Sequence, residues 1–488
     1  MKNKLILNIA LITTLTFSGC GDLEILEEKP VKEATQGFMT DAEHIESVLL
    51  SCYYQVKRYE CFSRYYHTNI EALADYASSI GSFEYVGRYL GADPTTTSRM
   101  NDVWACFYRA IRFANMIIAY APDAEEASPQ EIKELIAEAR FLRAFCYLHL
   151  AQLWGAVPLS TEEELSNSEE TNLPRIPQNQ IFAFAASDLE IAAADLPDNQ
   201  PVVGRPQKMT AKAVLAEVYL HLEEWAKARD HALDVINSGK YRLVEVSQSD
   251  DFYKLYHPKL VNSTEEIFYL KYREGKEYGS AFASMLHRGK QYYNGNAYSG
   301  IHSTYANPFY ANWSDNDLRK AFNVYVVNVS GQNLIYNKKF IETDAVGDSG
   351  GSDIPLYRLA DVLLFYAEAA CRANNGIPTA DAMEKLNMVH RRAYGKRSGV
   401  ADPSVDYKLN DYNTEEKFIE LVLTERGYET CYEGKRYNDL KRTGKLAEYV
   451  LDKKGIVVSE AGYWFAIPDQ EFLYNKGVDP NKDQNPGY

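Results

Sequence analysis

The chain has 488 residues, of which 46% are hydrophobic and 25% charged, and its mean hydropathy is -0.38. That composition supplies apolar surface for a large folded body and too much charge for a membrane-embedded one. A net charge of -16 excludes nucleic acid as a natural partner, since a polyanion is bound through an excess of lysine and arginine.

Lys2 and Lys4 precede an apolar run from Leu5 to Phe17 that ends in Ser18-Gly19-Cys20. A basic start, a short apolar core and small residues at the cut make an export signal, and the run falls short of the ~20 apolar residues a membrane span needs. Ser18-Gly19-Cys20 looks like a bacterial lipobox, so residues 1–19 read as a lipoprotein signal peptide and Cys20 as the lipidation site. Two or more acyl chains such as palmitate, at about 0.8 kcal/mol per buried CH₂, would hold the mature chain on an outer membrane without spanning it. Residues 20–36, with Asp22, Glu24, Glu27 and Glu28, read as a lipidated tether.

Helical patterning begins beyond the tether. Met100 to Tyr120 and Glu131 to Leu153 form a first pair, the second helix carrying Phe141, Ala144, Phe145, Leu148 and Ala151 on one face. Thr210 reads as an N-cap, a helix from Trp225 to Asn237 follows, and Gly239 supplies a stop. Leu359, Val362, Leu363, Tyr366, Ala367, Ala370 and Cys371 form a stripe at helical spacing. Further helices are expected at Thr379 to Tyr394, Glu415 to Cys431 and Lys435 to Arg442. Helix, short turn, helix is the pattern of tetratricopeptide units of about 34 residues, which bury their faces only by stacking. The stretch from Lys208 to Tyr241 fits best, with Leu215, Ala216, Tyr219 and Ala228 at the repeat's apolar, small, aromatic and small positions. Non-helical insertions, from Gly155 to Pro177 and from about Tyr241 to Pro355, interrupt the stack and are where ligand chemistry is expected. Six cysteines besides Cys20 show no CxxC spacing; Cys106, Cys146 and Cys371 read as core residues, and a Cys52–Cys61 disulfide stays open.

Four stretches carry a family resemblance. They are Glu138 to Phe145 running on to Leu153-Trp154-Gly155-Ala156-Val157-Pro158-Leu159; Pro355 to Leu364 with Tyr366-Ala367-Glu368-Ala369; Glu425-Arg426 with Glu433 to Gly444; and Ile467-Pro468 with Asn485-Pro486-Gly487-Tyr488. In this order behind a lipobox they resemble the SusD/RagB family of outer-membrane nutrient-binding lipoproteins of Bacteroidetes. The resemblance implies a mainly α fold: tetratricopeptide-like helix pairs forming an α/α superhelical body, with loop and small-strand insertions carrying the ligand face. It implies a surface-exposed protein, not an enzyme, that captures an oligosaccharide, or a peptide in RagB-like members, for a SusC-like TonB-dependent transporter. Residues 37–240 form the N-terminal helical region in this reading, 241–355 the aromatic insertion and 356–488 the C-terminal region, with 20–488 as one compact domain.

The aromatic content, 37 Tyr, 20 Phe and 5 Trp, suits sugar capture, because a sugar ring offers an apolar C–H face and a hydroxyl edge. In the insertion the expected ligand residues are Tyr292, Tyr293, Asn296, Tyr298 and Trp313; Asn312, Ser314 and Asp315 around Trp313 suggest an exposed turn. Asp75, Arg88 and Tyr89 are expected to contribute from an N-terminal loop. Trp104, Trp154 and Trp464 read as structural, and Arg140, Arg143, Glu425 and Arg426 as ion-pair braces. No HExxH or phosphate-loop motif is present, and the nine His residues are dispersed, so no catalytic residue, cofactor or metal site is expected. A surface glycoside hydrolase would need two carboxylates about 5–10 Å apart, and no motif points to such a pair. Asp479 to Asp483 imitates the start of a calcium loop but lacks its glycine and reads as a turn.

Overall fold

Capping residues set where the helices of the computed structural model begin. The structure describes residues 37–488 except 92, 167–171 and 276–278; the signal peptide, Cys20 and the tether lie outside the described residues. Helix α1 (Ala42–Lys57) starts at Asp41, whose carboxylate accepts the His44 N–H. A short α2 (Tyr65–Ala72) precedes α3 (Pro94–Tyr120), capped by Asp93. Helix α4 (Pro129–Trp154) opens with Ser128 and Glu131 capping each other reciprocally and stops at Gly155, whose φ of 73° favours glycine. Then come α5 (Gln178–Asp195), α6 (Lys208–His221) and α7 (Trp225–Asn237). Thr210 is not the cap of α6: the helix starts at Lys208, and the Thr210 hydroxyl accepts the Gln207 N–H at 3.2 Å. The C-terminal region supplies α8 (Leu359–Ala373), α9 (Ala380–Ala393), α10 (Glu415–Glu429), α11 (Arg436–Arg442) and α12 (Leu446–Lys454).

Residues Met39–Tyr488 form one compact unit. Within it α1 packs on α3, then each of α3 to α7 on the next, and α7 packs on α8, which in turn meets α9 and α10. Helices α7 and α8 are therefore neighbours in space although the long insertion separates them in sequence. Buried alanines at the crossings, among them Ala144 and Ala151 of α4, Ala185 and Ala192 of α5 and Ala213 and Ala216 of α6, let the helix axes approach closely. The result is a mainly helical superhelical body with small strand pairs. Cys52 and Cys61 are both free thiols, buried like Cys106, Cys146 and Cys371.

The strands are short antiparallel pairs. They are β1 (Ser78–Ser79) with β5 (Ile301–His302), β2 (Val157–Pro158) with β3 (Arg175–Ile176), β4 (Glu266–Leu270) with β8 (Ile354–Arg358), and the hairpin β6 (Val324–Val329) with β7 (Gln332–Asn337). Ser330 and Gly331 close the hairpin with φ of 51° and 85°, the positive values a two-residue hairpin turn demands.

A buried ion network docks the insertion on the stack. Arg358, at the end of β8, pairs with Glu429 of α10 and, at 2.8 Å, with Glu433. Lys339 reaches Glu433 at 2.8 Å, and Arg319 reaches Glu425 at 2.6 Å and Glu429 at 2.9 Å. Arg392 of α9 joins Glu265 to Glu429. Every one of these side chains is buried. Burial alone would raise the Glu433 carboxyl, but Arg358, Lys339 and Lys435 outweigh it and hold the group well below the usual carboxylate range. Arg140 and Arg143 brace α4 to α5 through Asp188, each at 2.7 Å, and Arg426 joins α10 to Asp439 of α11 at 2.9 Å. Arg358→Ala leaves two buried carboxylates under-compensated and is expected to cost about 3–5 kcal/mol; urea unfolding measures it, and a change under about 1 kcal/mol would contradict the assigned role.

Candidate functional site

The turn between α1 and α2 is nailed down by Cys61 and Phe62, both fully buried, which leaves Tyr59 exposed and Arg64 half-buried. The Arg64 guanidinium lies over the Tyr59 ring at 4.9 Å and over the Tyr298 ring at 4.9 Å. Tyr65 meets Tyr59 edge to face at 5.5 Å. Arg99 of α3 lies over Tyr65 at 5.6 Å and Phe83 at 4.3 Å, and donates to the Ser82 carbonyl and hydroxyl at 3.2 and 2.8 Å. From the insertion, Tyr298 is 45% exposed. Its hydroxyl donates to the Asp348 carboxylate at 2.9 Å, and the Asn296 amide donates to the same group at 2.8 Å. That hydrogen bond to Asp348, more than burial, raises the Tyr298 phenol above its usual range.

The backbone holds these parts in place. Tyr298 N–H donates to the Ser284 carbonyl at 2.7 Å, Ser299 N–H to His287 at 3.1 Å, and Ile80 N–H to Gly300 at 3.1 Å. The β1–β5 pair extends the last link. A Cβ on Gly300 would stand 2.8 Å from the Met285 methyl, so glycine lets the strand pass. Beside this face runs a groove of about 390 Å³ lined by Ser78, Ser79, Arg88, Ser303, Thr304 and Asn307. Lys454 lines it too, donating to the Gly87 carbonyl at 2.8 Å, and burial pulls its ammonium down to about 7. Exposed tyrosine faces next to a carboxylate, an amide and guanidinium groups can stack on an apolar ring face while hydrogen-bonding its polar edge.

Residues 267–488 match the family model described as the SusD family, and residues 24–220 match the one described as "Starch-binding associating with outer membrane". The chain belongs to the SusD family. SusD-like protein P2 of Formosa agariphila is 26% identical over 517 aligned positions covering 98% of both chains. Starch-binding protein SusD of Bacteroides thetaiotaomicron is 24% identical over 72% of both. Among solved structures, a SusD homolog from B. thetaiotaomicron superposes with a TM-score of 0.82 over 95% of this chain and 100% of the other, at 22% identity. Surface glycan-binding protein A of the same species, in complex with laminarihexaose, gives 0.73 over 92% of this chain and 100% of its own, at 20% identity. At those identities the structural likeness establishes the SusD fold.

Within that fold the expected ligand residues part company. Asn296 and Tyr298 belong to the tyrosine–arginine platform, and Arg88 lines the groove, where it pairs with Glu84 at 3.4 Å. Tyr292 is half-buried, edge to face with Tyr325 at 4.8 Å and under Lys338. Four others are interior. Trp313 is 1% exposed, stacked on Tyr428 of α10 at 4.5 Å and 11°. The short helix Pro308–Asn312 turns its indole inward, while the neighbouring Asp315 points to solvent and pairs with Lys320. Tyr293 is buried on His287, Tyr89 under Lys454, and the buried Asp75 holds Arg436 by two hydrogen bonds of 2.9 and 2.8 Å. None of these four offers a face to a ligand. Tyr59, Arg64, Tyr65, Arg99 and Asp348 were not expected; the tyrosine- and arginine-dense run from Tyr53 to Tyr66 was the available signal for three of them. Trp313→Ala should therefore cost about 3–5 kcal/mol of stability as a core truncation, and Tyr298→Ala no more than about 0.5 kcal/mol; denaturant midpoints of the two variants separate the roles.

Proposed function

We propose that this protein is a surface-exposed, Cys20-anchored outer-membrane lipoprotein that captures an oligosaccharide on the tyrosine–arginine platform and hands it to a SusC-like TonB-dependent transporter. One observation carries the reading: Tyr59 and Tyr298 present exposed rings bridged by Arg64, with Asn296 and Asp348 alongside. This pairs a flat apolar face with hydrogen-bonding groups at its edge, the complement of a sugar ring. Supporting it, a SusD-like relative is named as starch-binding and a structural neighbour as a surface glycan-binding protein in complex with a hexasaccharide. The family description of residues 24–220 names outer-membrane association. Among the described residues no helix is long and apolar enough to cross a membrane; in this reading the lipid at Cys20 holds the chain on the membrane. Capture proceeds by binding alone, without turnover.

Calorimetry of the full chain in detergent against plant, host and microbial glycans, with a peptide mixture beside them, tests this. Saturable binding to a glycan class without product release is expected, with Tyr298→Ala and Tyr59→Ala each weakening it roughly tenfold, or ~1.4 kcal/mol. Heat from peptides alone would replace glycan capture by RagB-like peptide import, and sugar release would indicate a surface glycoside hydrolase.

A further inference from the structure

The platform carries two guanidiniums, Arg64 and Arg99, that make no ion pair among the described residues. Among the described residues Arg64 makes no ion pair and no side-chain hydrogen bond; it touches only the rings of Tyr59 and Tyr298, and its Nε is buried without a partner. Arg99 likewise meets rings and Ser82 and makes no ion pair, with Asp93 acting on it only at longer range. Glu60 is taken by Arg58 at 3.0 Å, and Asp348 sits at the hydroxyl end of Tyr298 without pairing to Arg64. The fully buried arginines such as Arg143, Arg358 and Arg391 are matched by carboxylates, as a chain of net charge -16 readily allows. On the platform, by contrast, two half-buried guanidiniums lie side by side with exposed tyrosine rings and make no ion pair.

Resting on the glycan-capture reading, we propose that the captured glycan is anionic, carrying uronate carboxylates or sulfate esters, and that Arg64 and Arg99 recognise that charge. A guanidinium lying over aromatic rings keeps its N–H donors in plane at its edge, where a carboxylate or sulfate accepts two of them side by side. Partial burial lowers the Arg99 guanidinium below its usual range and the neighbouring Arg64 adds to that, against the raising effect of Tyr65 and Asp93, so an anion beside the pair would be favoured. The tyrosines supply stacking that any sugar ring accepts, so the arginines are the groups that select among glycans.

The test uses the full chain in detergent with polygalacturonate and desulfated chondroitin as carboxylate probes, carrageenan as a sulfate probe, and agarose, dextran and starch as neutral ones. At least one anionic probe is expected to bind tenfold or more tightly than every neutral one, with affinity falling as salt rises. Arg64→Gln and Arg99→Gln should each weaken that binding about tenfold at unchanged melting temperature, and Arg64→Lys should restore part of it. Which probe responds separates carboxylate from sulfate. A neutral glycan bound as tightly as the anionic ones, with no loss in either glutamine variant, overturns the charge assignment and leaves glycan capture standing; no saturable binding to any glycan overturns both.

Discussion

Arg358, Arg392, Arg319 and Lys339 against Glu265, Glu425, Glu429 and Glu433 form the constraint on which the rest of the molecule depends. Ions taken from water cost several kcal/mol each unless partners and hydrogen bonds replace the lost hydration, so such a set tolerates little change in geometry. The members come from distant parts of the chain. Glu265, Arg319 and Lys339 belong to the insertion, Arg358 to the strand that ends it, and the remainder to α9, α10 and the turn after α10. Because α7 packs directly on α8, the insertion is extruded from an otherwise continuous stack, and the network fixes where it lands.

Placement of the ligand platform follows from that docking. Segments next to the anchored residues carry the loops in turn: the His287 ring bonds the Phe340 carbonyl at 2.9 Å, Glu342 N–H donates to Tyr292 at 2.7 Å, and Asn296 N–H donates to Gly347 at 2.6 Å. These links bring Tyr298 and Asp348 of the insertion against Arg64 and Tyr59 of the α1–α2 turn. The site is assembled from two regions more than two hundred residues apart in sequence, and neither half forms it alone. Rigid support under exposed rings is what recognition by stacking requires, since ordering the rings on binding would offset the gain.

Local periodicity made most of the helical body legible. The stripe from Leu359 to Cys371 and the 225–237 helix stand where the spacing put them, because a helix is specified by residues three and four apart. Braces at Arg143 and Glu425 were readable as charges inside apolar patterns, but their partners Asp188 and Arg319 lie far along the chain. The site was less legible for the same reason. Polar neighbours suggested exposure for Trp313, yet its burial is decided by Tyr428, a residue of another helix. Asp75 looked like a loop carboxylate and is instead the counter-ion of Arg436. Tyr298 and Asn296 could be picked from composition, whereas Arg64 and Arg99 acquire meaning only when the turn and the insertion meet.

A crystal structure of the protein with its tightest-binding glycan tests the central claim most directly. The account predicts a sugar ring within about 4 Å of the Tyr298 or Tyr59 face, its hydroxyls bonded to Asn296 or Asp348 and any acidic group on Arg64 or Arg99. Glycan bound elsewhere on the surface, with the tyrosine–arginine platform empty, would contradict it.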